Sequence, residues 1–173
     1  MIKKAARIIK ILKLLVQFLL ALEQKNQRYT SFSASSLSEI PNTCILTGSP
    51  ENLFIGKHTV VGEHNILRFR VGKITIGDNV LLANNITLAA GTHEYWHADR
   101  PIVQQRMIFG EIVVGDGVWI GANTVVLTSA RNKRTITIGN GAIIAAGSVV
   151  NKDIPPNEIW GGVPAQLIRN RLD

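Results

Sequence analysis

Cysteine is all but missing from this chain of 173 residues, where Cys44 stands alone. A single thiol closes no internal disulfide, so nothing argues for an oxidising compartment, and Cys44 is expected to be a small buried side chain. Glycine and proline are lacking at the start: neither occurs before residue 41, although the chain holds 15 glycines and 6 prolines. The opening stretch, MIKKAARIIKILKLLVQFLLALEQ, consists of good helix formers without a breaker. It predicts a basic amphipathic helix within residues 1–28, about 30 Å long. Lys3, Arg7, Lys10, Lys13 and Gln17 gather on one side of that helix, opposite Ile9, Leu12, Val16 and Leu19.

An unbroken run of about 20 apolar residues is absent as well, because Lys10, Lys13 and Gln17 interrupt the leader, so it does not read as a membrane span. Nor is there a clear small-x-small cleavage site, ALEQ being a poor one. Three readings of the leader stay open: packing against the protein or a neighbouring subunit, lying on a membrane surface, or acting as a signal or span. Acid is scarce in the same stretch. Residues 1–28 carry seven basic side chains against Glu23, whereas the remainder holds 12 basic and 11 acidic groups. The formal charge of +7 is therefore concentrated in the leader, and the nearly neutral body lacks the charge that nucleic-acid binding requires.

What the body does contain is a period of six. Ile55-Gly, Val61-Gly and Leu67 form one set, and Ile76-Gly, Leu82-Ala and Leu88-Ala the next. Val114-Gly, Ile120-Gly and Val126 follow, then Ile138-Gly, Ile144-Ala and Val150. No amphipathic helix repeats every six residues. A parallel β-solenoid does: each short strand points one aliphatic residue inward, the small residue permits a corner, and three faces close a coil. Stacked coils, spaced about 4.8 Å apart like any paired strands, then bury one another's aliphatic ladders.

The register also marks where the chain leaves this scaffold. The step from Leu67 to Ile76 has three residues in excess, that from Val126 to Ile138 has six, and that from Leu88 to Val114 has twenty. The longest insertion, a loop over residues 91–111, opens with GTHEYWHADRP and holds more chemistry than the rest of the chain. From the residues alone, His93 and His97 read as a metal pair, a proton-transfer site or loop histidines. A zinc site would need a third ligand, and the loop lacks the helical period that would put i and i+4 on one face.

These residues resemble the hexapeptide-repeat acyltransferases, most closely the galactoside/maltose O-acetyltransferase group with its polysaccharide O-acetyltransferases. IGDNVLLANNITLAAGTHEYWHADRPI, GEIVVGDGVWIGANTVVL and IGNGAIIAAGSVVNKDIPPNEIWGGVPAQLIR carry the resemblance, which covers about residues 74 to 170. It implies an all-β solenoid, a left-handed parallel β-helix over residues 29–170, assembled as a homotrimer with acetyl-CoA between subunits. It also implies a cytoplasmic setting and a sugar or glycan acceptor. The family's catalytic histidine falls on His93. Its coenzyme-contacting positions fall on Trp119, Ala122, Ala146, Asn151, Lys152 and Arg169. An asparagine stands at 151 where threonine is common, and Gln166 stands where a basic residue is frequent.

O-acetyl transfer asks a weakly nucleophilic alcohol to attack a thioester, so a base must take its proton as the bond forms, and an imidazole suits that exchange near neutral pH. Tyr95, Trp96, His97 and Arg100 are the candidates for the acceptor side, with Arg100 also able to pair with Asp99 as a loop brace. No metal is expected. Competing readings are a metal-dependent hydratase resembling the γ-class carbonic anhydrases, for which His64, His93 and His97 would be the ligands, N-acetylation of an amino sugar, and a non-catalytic solenoid that binds a membrane or partner. The leader favours an acceptor near a membrane, with a peripheral contact to its inner face.

Overall fold

The computed structural model describes residues 12–17, 19, 33–34, 38–129, 131 and 134–173. Two compact units are present, Met1–Phe32 and Ser33–Asp173. In the first, residues 12–17 and 19 are helical. Leu12, Leu14, Leu15, Val16 and Leu19 are exposed there. The rest of the expected leader helix, with Lys3, Arg7 and Lys10, lies outside the described residues.

The second unit consists mostly of parallel strands in three sheets, which the chain visits in rotation from Leu53–Ile55 to Val149–Val150. The first sheet contains Ser33–Ala34, Leu53–Ile55, Gly72–Ile76, Gly110–Val114 and Thr135–Ile138. The second contains Val60–Val61, Leu81–Leu82, Trp119–Ile120, Ile143–Ile144 and Glu158–Gly161, with Gln166–Asn170 added antiparallel at its end. Ile45–Thr47, Ile66–Arg68, Thr87–Ala89, Val125–Leu127 and Val149–Val150 make the third.

Each of the twelve periodic aliphatic residues is at most 5% exposed. Their pairing follows the period: Ile55 lies beside Ile76, then Val114 and Ile138. Val61, Leu82, Ile120 and Ile144 line the second sheet, and Leu67, Leu88, Val126 and Val150 the third. Turning a chain every six residues requires one sharp reversal of backbone direction per corner. The third residue after the inward aliphatic supplies it by adopting positive φ, as at His58 (56°), His64 (60°), Asn79 (56°), Asn123 (59°) and Gly147 (72°). The small residue after the aliphatic has a different cause. A Cβ on Gly121 would lie 2.6 Å from the Ala146 amide nitrogen of the next circuit, so the close approach of stacked corners selects glycine.

Before the first periodic set, Ile45–Thr47 pairs with Ile66–Arg68, and Ser38 donates to the Gly56 carbonyl at 2.8 Å. Cys44 is 2% exposed within this added layer, its Sγ 3.4 Å from the Gly62 carbonyl. Burial pushes its thiol pKa up.

Candidate active site

The long excursion springs from the corner between the third and first sheets. It leaves after Thr87–Ala89 and returns at Gly110, which pairs with Gly72. The last two residues of the 91–111 stretch are therefore sheet, not loop. Its base is closed by the Gly91 amide donating to the Thr128 hydroxyl at 3.0 Å. Thr92–His93 then pairs antiparallel with Met107–Ile108, His93 opposite Met107, and Ile102–Gln104 makes one short 3-10 turn at the far end.

His93 is thus held at the foot of a two-stranded ladder rather than on a free loop. It is half-buried, and its Nδ1 is shut from solvent without a hydrogen-bond partner among the described residues. The next residue, Glu94, is 4% exposed. One of its carboxylate oxygens accepts from Arg106 Nε at 3.1 Å and Nη2 at 2.9 Å, while the Glu94 amide donates to the Arg106 carbonyl at 2.8 Å. The Arg106 guanidinium, 84% exposed, reaches inward over the carboxylate and holds the Glu94 pKa below its ordinary value.

Gln105 secures the wider part of the excursion. It is 7% exposed, its Nε2 donates to the carbonyls of His97 (2.8 Å) and Arg100 (3.2 Å), and its Oε1 accepts from the His97 amide at 3.3 Å. Arg100 forms the expected brace, with Nη2 2.9 Å from an Asp99 carboxylate oxygen, and that bond keeps the Asp99 pKa low. Tyr95 and Trp96 meet edge to face at 5.8 Å, and the His97 ring lies 6.1 Å from Trp96. Arg131, from the second excursion, puts its guanidinium 5.1 Å from the Trp96 ring centre and 5.7 Å from that of Tyr95.

The residues that the resemblance assigns to the coenzyme lie elsewhere in the section of the unit. Trp119 is 48% exposed on the second sheet, in register with Leu81 and Ile143. Ile143 pairs in turn with Ile159 and Ile159 with Arg169, so Trp119 and Arg169 share one outward row. Ala122 and Ala146 occupy successive turns at the corner between the second and third sheets, where the Gly147 amide donates to the Ala122 carbonyl at 2.8 Å. Asn151 is exposed just after the last strand of the third sheet. Lys152 donates to Gln166 Oε1 at 3.0 Å and lies 4.8 Å over the Trp160 ring. Arg169 is exposed, with Nη1 3.4 Å from the carbonyls of Asn170 and Asp173.

Tyr95, Trp96 and His97 form one ring cluster on the excursion that also carries His93 and Arg100, while Trp119 and Arg169 lie on the second sheet, Ala122 and Ala146 at its corner with the third, and Asn151 after the third. In one chain Trp119 and Arg169 stand on the second sheet, away from the corner between the third and first sheets that carries His93, whereas Asn151 follows the third sheet at that same corner. His64 has a structural reason for its place, as the positive-φ residue of a corner. Among the described residues no group of three or more histidine, cysteine, aspartate or glutamate side chains is arranged to hold a metal ion. Sequence reasoning missed Arg131, Gln105 and the Glu94–Arg106 brace. Their sequence signal was the register slip that marks each excursion, between Leu88 and Val114 for Glu94, Gln105 and Arg106 and between Val126 and Ile138 for Arg131.

No family model matches the chain. It is 43% identical over 100 residues to the galactoside O-acetyltransferase of Escherichia coli (strain K12), covering 58% of this chain and 45% of that protein. A putative lipopolysaccharide biosynthesis O-acetyl transferase of the same organism is 31% identical over 106 residues, covering 57% and 51%. Among solved structures, a hexapeptide-repeat containing acetyltransferase of Vibrio cholerae complexed with acetyl coenzyme A superposes with a TM-score of 0.72 at 30% identity, covering 88% of this chain and 79% of that one. The chain spans about half the length of the curated relatives it matches.

Proposed function

Because the chain belongs to the hexapeptide-repeat acetyltransferases, we propose that it transfers the acetyl group of acetyl-CoA to a hydroxyl of a sugar or surface-polysaccharide precursor, with His93 as general base. The observation that carries this reading is the setting of His93, a half-buried imidazole fixed in a ladder with one buried ring nitrogen unpaired among the described residues. A buried polar atom without a partner costs about 1–3 kcal/mol, a cost that is kept where the group has work to do. The acceptor oxygen attacks the thioester carbonyl as its proton passes to the imidazole. The C–S bond then breaks, and the proton is returned to the departing thiolate, leaving an acetyl ester and coenzyme A.

On this reading Trp119, Ala122, Ala146, Asn151, Lys152 and Arg169 hold the coenzyme, and Tyr95, Trp96, His97 and Arg100 shape the acceptor side. The three-sheet circuit is a left-handed β-helix, and the working unit is a homotrimer whose site joins the His93 corner of one chain to the second sheet of the next. Two features support the trimer: the separation of His93 from Trp119 and Arg169 within one chain, and the apolar surface on either side. Val60, Leu81 and Trp119 are exposed along the second sheet, and Ile102, Val103, Met107 and Phe109 on the excursion.

The acyl donor belongs to the cytoplasm, and the leader would hold the enzyme at the inner membrane face, its exposed Leu12, Leu15, Val16 and Leu19 entering the interface and its basic residues meeting anionic headgroups. No described helix is long and apolar enough to cross a membrane. The full chain should sediment with vesicles containing phosphatidylserine and stay free of pure phosphatidylcholine vesicles. Equal recovery in the supernatant with both would assign the leader to protein packing instead.

The activity is tested by acetyl-CoA turnover across neutral sugars, amino sugars, sugar nucleotides and lipid-linked glycans. His93→Ala should lower the rate on the best acceptor by about 10²- to 10⁴-fold, the usual contribution of a placed base. Equal turnover by both proteins would remove His93 from the mechanism.

A further inference from the structure

We propose that the acceptor carries an oxyanion, a carboxylate or a phosphate, and that Arg131 receives it; this rests on the acetyltransferase reading of His93. The charges of the first excursion cancel internally. Arg100 is paired with Asp99 and Arg106 with Glu94, each at 2.9 Å, so neither pair leaves a cation for a ligand. Arg131 is different: it is exposed and makes no ion pair among the described residues. It comes from a stretch, SARNKRT, with three basic residues and no acid.

The guanidinium is held instead by two rings, at 5.1 Å from Trp96 and 5.7 Å from Tyr95. Stacking fixes a guanidinium by its face and leaves the N–H groups of its edge able to grip a planar carboxylate or a phosphate through two parallel bonds. Tyr95 is two residues from His93 and 54% exposed, so an apolar ring face adjoins the cation. A sugar ring resting on Tyr95 with its acidic group at Arg131 would be anchored at two points beside the base. A bare solubilising charge has no need of an aromatic seat reached from a separate excursion.

The experiment compares acceptors that share the 2-, 3- and 4-hydroxyls of the ring and differ in charge: methyl xyloside, methyl glucuronide and a xylose-bearing sugar nucleotide. Each is assayed with the full chain and with Arg131→Gln and Arg131→Lys. The wild-type chain should have a higher kcat/KM on the carboxylate or the phosphate acceptor than on the neutral one, and which of the two wins identifies the oxyanion. Arg131→Gln should reduce that acid-over-neutral ratio by about 10- to 100-fold, the worth of a hydrogen-bonded charge pair, and Arg131→Lys should recover part of it. An unchanged ratio in Arg131→Gln, or a raised KM for acetyl-CoA with the ratio intact, overturns the assignment while leaving the acetyltransferase reading in place. Failure of the wild-type chain to bind coenzyme A or turn over any acceptor overturns both.

Discussion

At the scale of single residues, the site depends on how one imidazole is held. His93 faces Met107 across the short ladder, and the next pair outward is tied twice, through the main chain at 2.8 Å and through the Glu94–Arg106 ion pair at 2.9 Å. Glu94→Gln removes the charge but keeps the shape, so the ladder should persist with a looser foot. We expect kcat/KM to fall roughly tenfold or more, the cost of a base displaced by a fraction of an ångström. The pH sign follows from the direction of the shift. Arg106 lowers the Glu94 pKa in the folded chain, so its stabilisation is complete above the ordinary glutamate value, about 4.3, and is lost as pH falls through the lower folded value. Hydrogen exchange at the excursion amides should accelerate through that acid range in the wild-type chain and lack the step in Glu94→Gln. The adjacent pair Asp99 and Arg100 was legible in the sequence because neighbours can always meet. Glu94 and Arg106 are twelve positions apart, joined by a turn with no local signature, and only folding reveals them.

At the scale of elements, the ladders were legible almost completely, because one inward aliphatic per six residues and one positive-φ corner per hexad leave a strong periodic trace. The excursions showed only as slips of that register; nothing periodic lies inside them, and the contact of Arg131 with Tyr95 and Trp96 joins residues some thirty-five positions apart. The layer beneath the first hexads left a fainter trace. Leu46 continues the inward row in register with Leu67, but the buried positions beside that row hold Cys44 and polar Ser38, and Ser38 is accommodated by bonding Gly56. The ladder makes a quantitative prediction. Ile120 is fully buried between Leu82 and Ile144, so Ile120→Ala should cost about 2–5 kcal/mol, as the stacked circuits cannot collapse onto the void. Chemical denaturation of the two proteins measures this directly, and a loss below about 0.5 kcal/mol, the scale of a surface change, would contradict the rigid-stack description.

At the scale of the whole molecule, the decisive fact is that one chain presents its candidate base and its candidate coenzyme row on different sides. His93 rises from the corner between the third and first sheets, whereas Trp119 and Arg169 stand outward on the second. If each working site joins two chains, inactive variants that damage opposite halves should complement one another. His93→Ala destroys the base but leaves the coenzyme row whole, and Trp119→Ala does the reverse. Mixed in equal amounts, dissociated and reassembled, the two should form some interfaces that combine an intact His93 with an intact Trp119. Random assortment in a ring makes that fraction about one quarter, since each half is intact with a chance of about one half. Activity should therefore return to about a quarter of the wild-type value, while either variant reassembled alone stays at its own low level. A mixture no more active than the mean of its components would mean that His93 and the coenzyme meet within one chain, and the excursion would then have to fold back across its own second sheet to bring them together.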